Sequence, residues 1–346
     1  MAGSAVTLAK VIKVSMLLLF VLLATAAISL FCGPAETGLL QGFMDLLGSR
    51  PQKAFALKPE DLTILFSIRL PRILFAGLVG ASLSTAGVIF QALLRNPLAD
   101  PYILGISGGS ALGAIIGITA GLGSIPLGIP LPAFLGAAVT VILVLAAGGS
   151  ERGFSSGTML LAGVIINAFF SALIMLALSL SSHADLQKIT FWLMGNLSLA
   201  DPDEILLTGL VLVAGFSITY LYARSLNLIS LGEETALHLG VAVGQTRIVL
   251  LLSGSLLTAV AVAFSGTVGF VGLIIPHMMR MLLGADHRLL LPASLLFGAS
   301  FLILADTLAR TAIPDMELPV GVVTALCGSP YFLYLLRKGR FKPWSF

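Results

Sequence analysis

The sequence predicts an all-α, polytopic membrane protein of about ten transmembrane helices, on three observations. Of 346 residues, 58% are hydrophobic and only 10% are charged, whereas ordinary soluble domains carry about 25% charged residues. Mean hydropathy is +1.06, so lipid rather than water is the solvent this chain is built for. The apolar residues also fall into runs of roughly 18 to 23, the length an α-helix needs to cross a hydrocarbon core about 30 Å thick.

Taken between turn signals, these runs place spans near 11–31, 70–92, 103–121, 131–148, 158–180, 205–223, 246–264, 267–284, 289–309 and 317–337. They form a single transmembrane domain over 1–346, with an external loop over about 32–69 and a cytoplasmic loop over about 224–245. Lys10 and Lys13 ahead of an apolar run resemble a signal peptide, but Val14 to Phe31 is too long for an ordinary signal core and reads as an uncleaved first span. An even count of spans puts both termini on one side. Twelve Lys/Arg fall on that side (Lys10, Lys13, Arg95, Arg152, Arg224, Arg247, Arg280, Arg288, Arg337, Lys338, Arg340 and Lys342) and seven fall opposite. The positive-inside bias makes both termini cytoplasmic.

The formal charge of +3 is scattered between apolar runs, with no basic stripe for nucleic acid. Cys32 and Cys327 sit beside or within apolar runs, which suits packing rather than a disulfide or a metal. His183, His238, His277 and His287 are dispersed, with no ligand spacing.

Of the seven outside charges, Arg50, Lys53, Lys58, Arg69 and Arg72 crowd the first external loop and the entry to the second span; Lys188 and Arg310 complete the set. Arg69 and Arg72 flank Pro71 at the membrane surface, where they could snorkel or present guanidinium groups to an acidic partner. Gly105, Gly109, Gly113, Gly117 and Gly121 recur every four residues and predict a stripe for a tightly crossed neighbouring helix. Gly266, Gly269 and Gly272 before Pro276 predict a tight or broken join between two spans, with Pro276 bending the second. The stretch from Leu226 to Gly240 predicts a short surface helix, with Glu233 and Glu234 in its first turn and Gly240 at its C-cap. Such an element suits a cytoplasmic partner or the membrane interface.

Gly105-Ile106-Ser107-Gly108-Gly109 satisfies the G-x-S-x-G nucleophile pattern and resembles the serine motif of rhomboid proteases, but its glycines belong to the longer ladder. A secondary carrier needs ionisable groups near the midplane. The clear acidic residue inside a span is Asp306, with Arg310 four residues on as its expected partner. No G-x-x-x-x-G-K-[ST] occurs, so any ATP hydrolysis belongs to another subunit.

Arg69-Leu70-Pro71-Arg72, Arg95-Asn96-Pro97-Leu98-Ala99-Asp100-Pro101, Trp192-Leu193-Met194-Gly195-Asn196-Leu197, Phe270-Val271-Gly272-Leu273-Ile274-Ile275-Pro276-His277 and Glu317-Leu318-Pro319-Val320-Gly321 run in order along the chain. Together they resemble the FecCD-type permeases of ABC importers for iron chelates, haem and vitamin B12. The resemblance implies a type II ABC importer permease fold and a multi-pass subunit in the cytoplasmic (inner) membrane of a prokaryote. It also implies a homodimer, two cytoplasmic ATP-binding cassette subunits and an external substrate-binding protein. By position it assigns binding-protein docking to Arg69, Arg72 and Arg310, and an ATPase coupling helix to Glu233, Glu234, Thr235, Ala236, Leu237, His238, Leu239 and Gly240. A cytoplasmic gate falls on Ser155, Ser156 and Gly157. The chain is then not an enzyme and holds no cofactor, since ATP binds the partner subunit. The expected cargo is an iron-siderophore, with haem or cobalamin as alternatives.

Overall fold

The computed structural model describes residues 6–33, 59–148, 156–198, 201–313 and 316–337, whose regular structure is helical, with no strand among them. In order, the helices are α1 (Leu8–Phe31), α2 (Pro59–Leu93), α3 (Ile106–Thr119), α4 (Pro130–Gly148), α5 (Ser156–Leu180), α6 (His183–Leu193) and α7 (Pro202–Leu221). There follow α8 (Ala223–Leu231), α9 (Glu233–His238), α10 (Val243–Ser265), α11 (Val271–Leu283), α12 (His287–Thr311) and α13 (Val320–Arg337).

Seven of these, α1, α2, α4, α5, α7, α10 and α12, are long and apolar enough to cross a membrane. The spans expected near 103–121, 267–284 and 317–337 appear as the shorter apolar helices α3, α11 and α13. The α3 helix has 14 residues, roughly 21 Å. It is stopped by Gly105 and Gly121, whose φ values of 79° and 71° are left-handed.

Helix α2 begins at Pro59 rather than near residue 70, so the loop expected to run to 69 ends earlier. Glu60 and Asp61 suit its first turn electrostatically. A π turn over Ile64–Arg69 lets the helix pass Pro71, which lacks an N–H and would otherwise clash one turn back. Residues 34–58, with Arg50, Lys53 and Lys58, lie outside the described residues.

Helices α2, α10 and α12 form the buried centre, with 83%, 72% and 67% of their most apolar windows buried, against 22% or less for α1, α4, α5 and α7. Apolar side chains on those outer helices, such as Leu161, Ile165 and Phe169, face outward. Bare backbone lets the centre close up: a Cβ on Gly80 would stand 2.3 Å from the Gly298 carbonyl, and one on Gly87 would stand 1.9 Å from that of Gly272. In the glycine ladder, Gly109, Gly113 and Gly117 lie against α4 and its approach, meeting Gly136, Pro132 and Gly128. Gly105 and Gly121 lie outside α3 and act as its ends, because their backbone has left the helical region.

The start of α12 is capped by Asp286, which accepts the Arg288 N–H (3.0 Å), the Arg288 Nη2–H (2.6 Å) and the Asn227 Nδ2–H (2.9 Å). Burial pushes the Asp286 carboxyl up, but the bonds from Arg288 and Asn227 outweigh it and hold it at about 2, below its ordinary 3.8. A depressed carboxyl stabilises the fold above pH 3.8 and loses that contribution as pH falls towards 2. Asp286→Asn should therefore lower the unfolding midpoint in detergent at pH 7 by the equivalent of about 1–2 kcal/mol. The gap from the parent chain should narrow between pH 4 and pH 3; a gap independent of pH would remove the charged cap.

Candidate functional site

Three arrangements bear on function, beginning with a charge cluster that ties α1, α2, α12 and the approach to α13. Asp306 is 1% exposed and accepts from Arg72 Nε (3.0 Å to each oxygen) and Nη2 (2.9 Å). The remaining edge of Arg72 donates through Nη1 to the half-exposed Glu317 at 2.9 Å. Arg310 lies only 3.7 Å from Asp306 through Nε, and its Nη2 donates to the Ser29 carbonyl (2.8 Å) and Ser29 Oγ (2.5 Å). Arg69 Nη1 donates to the Leu30 carbonyl at 2.8 Å. Arg69 and Arg310 thus satisfy the final carbonyls of α1, which has no basic residue of its own in that turn.

The cluster bears on two expectations. The expected Asp306–Arg310 pair is present at 3.7 Å, but Arg72 is the principal partner: it offers a two-pronged fork from the facing helix, while Arg310 also turns to α1. Arg69, Arg72 and Arg310 are also buried, with acidic groups and carbonyls of the same chain on their donors, rather than standing out at the surface.

The second arrangement is the break between α10 and α11. Residues 266–270 are non-helical, opened by Gly266 (φ 67°) and closed by Phe270 (φ 68°). Non-helical backbone between apolar helices is tolerated where the protein satisfies its polar groups, and here other segments do so. Tyr102 Oη donates to the Val268 carbonyl and accepts its N–H, both at 2.8 Å, and Thr267 Oγ1 donates to the Leu193 carbonyl. The Asn196 N–H reaches the Ser265 carbonyl (2.8 Å), and the Gly321 N–H reaches that of Met194 (3.1 Å). The Trp192 and Glu317 motifs, distant in sequence, therefore meet the Phe270 motif at one break. Pro276 sits inside α11, and the His277 ring lies 6.0 Å from that of Phe332.

The third is α9. The expected single helix over Leu226 to Gly240 is two helices, because Gly232 adopts φ 134° between α8 and α9. Glu233 and Glu234 occupy the first turn of α9, and Gly240 follows it at φ 82°. Ala236 is buried, while Leu237 and Leu239 project outward. Thr235 precedes Ala236, and His238 ends the helix. Glu233 pairs with the buried Arg247 of α10 and lies 4.0 Å from Arg95 Nη2.

Ser155 lies outside the described residues, as does the side chain of Ser156; Gly157 is exposed in the first turn of α5. Sequence reasoning missed Ser29, Glu317, Arg247 and the Tyr102–Val268 bond. A signal existed for Arg247, a lone cation just inside a predicted span; Ser29 carried none.

The family model of the FecCD transport family matches residues 18–338. The hemin transport system permease protein HmuU of Yersinia pestis is 42% identical over 290 residues, covering 80% of this chain and 84% of that protein. The cobalamin import system permease protein BtuC of Halobacterium salinarum is 42% identical over 284 residues, covering 82% of this chain and 76% of its own length. The solved inward-facing structure of a metal-chelate type ABC transporter superposes with a TM-score of 0.80 at 37% identity, covering 95% of this chain and 99% of that one. With a family model spanning most of its length and three of its five motifs meeting at one break in the helices, the chain belongs to the FecCD transport family.

Proposed function

We propose that this chain is the permease subunit of a binding-protein-dependent ABC importer that moves an iron chelate across the cytoplasmic membrane of a prokaryote. The observation that carries the reading, within a FecCD-family chain, is α9: a short helix with an acidic first turn and outward Leu237 and Leu239. That combination suits a groove on a cytoplasmic protein. The sequence has no P-loop, so the ATPase is a separate subunit. Hemin and cobalamin, the cargoes for which those two relatives are named, are the alternatives to an iron chelate.

In this reading α3, α11 and α13 also cross, giving ten spans with both termini cytoplasmic. Two copies pair about the substrate path, and the break at 266–270 lies where two states of the path differ. Gly157 and the serines before it form the cytoplasmic gate. A binding protein docks at the Arg69–Arg72–Arg310 end, where the half-exposed Glu317 is the accessible edge of the cluster. Coupling requires that ATP and cargo each favour one of two states of the assembly.

The test is uptake into proteoliposomes that hold the chain and its ATPase, with binding protein outside, comparing a ferric siderophore, haem and cobalamin. Uptake of the siderophore only with internal ATP is expected. Equal uptake without ATP would overturn the importer, and uptake of haem or cobalamin instead would reassign the cargo.

A further inference from the structure

We infer that Arg95 acts through its charge, as a positioning residue that joins α9 to the end of α2, so that the Arg95–Glu233–Arg247 triad conveys movement of α9 into the buried centre. This rests on the reading of α9 as the ATPase-facing element. Arg95 has φ 46°, in the left-handed region. It sits in the turn that closes α2, where its N–H donates to the Ala92 carbonyl (3.2 Å) and the Asn96 N–H to that of Gln91 (3.1 Å). That bonding is a helix end whose left-handed residue is usually glycine. Glycine would adopt the turn without the crowding that a Cβ brings, and the Arg95 side chain is exposed. The positive-inside bias asks only for a cation somewhere in the loop, not at the left-handed position, and neither backbone geometry nor burial accounts for an arginine here. Its guanidinium does: Nη2 stands 4.0 Å from Glu233 Oε1, the same oxygen that Arg247 holds.

The surroundings of α9 make that oxygen a joint. Gly232 and Gly240 flank the helix, and a Cβ at Gly240 would meet nothing within 4 Å, while one at Gly232 would meet only Thr235 Oγ1 at 3.6 Å. Neighbouring atoms therefore do not crowd either flank. Inward, α9 is held by Ala236, packed in a small apolar cluster with Ile229 and Val243, and by Glu233. Apolar contact is non-directional, whereas the shared carboxylate fixes a direction. Arg247 lies in the first turns of α10, and Arg95 follows α2, so a rotation of α9 pulls on two central helices together. Without Arg95 it pulls on α10 alone. An exposed ion pair adds little to folding, which places the expected effect in coupling rather than stability.

The experiment compares Arg95→Gly and Arg95→Lys with the parent chain, assembled with ATPase and binding protein in proteoliposomes. It reads unfolding midpoint, ATPase copurification and cargo moved per ATP hydrolysed, using the ferric siderophore, haem or cobalamin that the parent carries. Arg95→Gly should keep or raise the midpoint, retain the ATPase, and lower cargo per ATP by about fivefold, the low end of coupling between sites. Arg95→Lys should restore most of it. Parent-level cargo per ATP in Arg95→Gly, or a loss that tracks a fallen midpoint, would overturn the role. Leu237→Asp separates this from the parent reading. If Leu237→Asp loses the ATPase while Arg95→Gly transports normally, only the triad's role falls; if it keeps the ATPase in full, α9 is not the ATPase-facing element and both fall.

Discussion

Asp306→Ala should lower the unfolding midpoint of the detergent-solubilised protein by on the order of 10 °C, the largest single-carboxylate effect among the described residues. Asp306 is 1% exposed and accepts three bonds from Arg72 at 2.9–3.0 Å. Removing it leaves two buried guanidiniums short of negative charge, and breaking a buried pair from one side costs about 3–5 kcal/mol. Asp306→Asn keeps the shape and one acceptor oxygen and should fall between the two. Since Arg69 and Arg310 hold the last carbonyls of α1, the loss should also appear as faster proteolysis near the α1 end. A midpoint within about 1 °C of the parent in Asp306→Ala would show that the cluster does not clamp these helices.

Gly87→Val should be comparably damaging for a steric reason. The new Cβ would stand 1.9 Å from the Gly272 carbonyl oxygen, and backbone cannot swing aside as a side chain can. Relief requires α2 and α11 to separate, which places the cost at or above the top of the usual 1–3 kcal/mol for overpacking. The displaced α11 starts just after the break at 266–270, so transport should fall more steeply than stability. Gly244→Ala is the control: nothing lies within 4 Å of its Cβ, and the helix should gain up to about 1 kcal/mol. Equal yields of monodisperse protein from Gly87→Val and Gly244→Ala would rule out the tight α2–α11 contact.

Much of this was legible because hydropathy and turn chemistry are local. The runs that became α1, α4, α5, α7, α10 and α12 announce themselves by length, and Glu233 and Glu234 mark the start of α9. The early start of α2 was not legible, since Pro71 reads as a helix boundary unless the π turn before it is known. Nor was the break at Gly232, because a glycine between two apolar stretches reads equally as part of one helix.

By itself, the sequence determined the solvent, the helical class and the ordered motifs that place the chain in its family, all of which depend on neighbours along the chain. Only the tertiary structure decided the pairings. Arg72 meets Asp306 across 234 positions and Arg310 meets Ser29 across 281, and no local period carries information over such separations. At four residues, Arg310 is the near choice for Asp306. Helix packing instead brings Arg72 to it with better geometry, and a buried carboxylate takes the partner that offers more aligned donors.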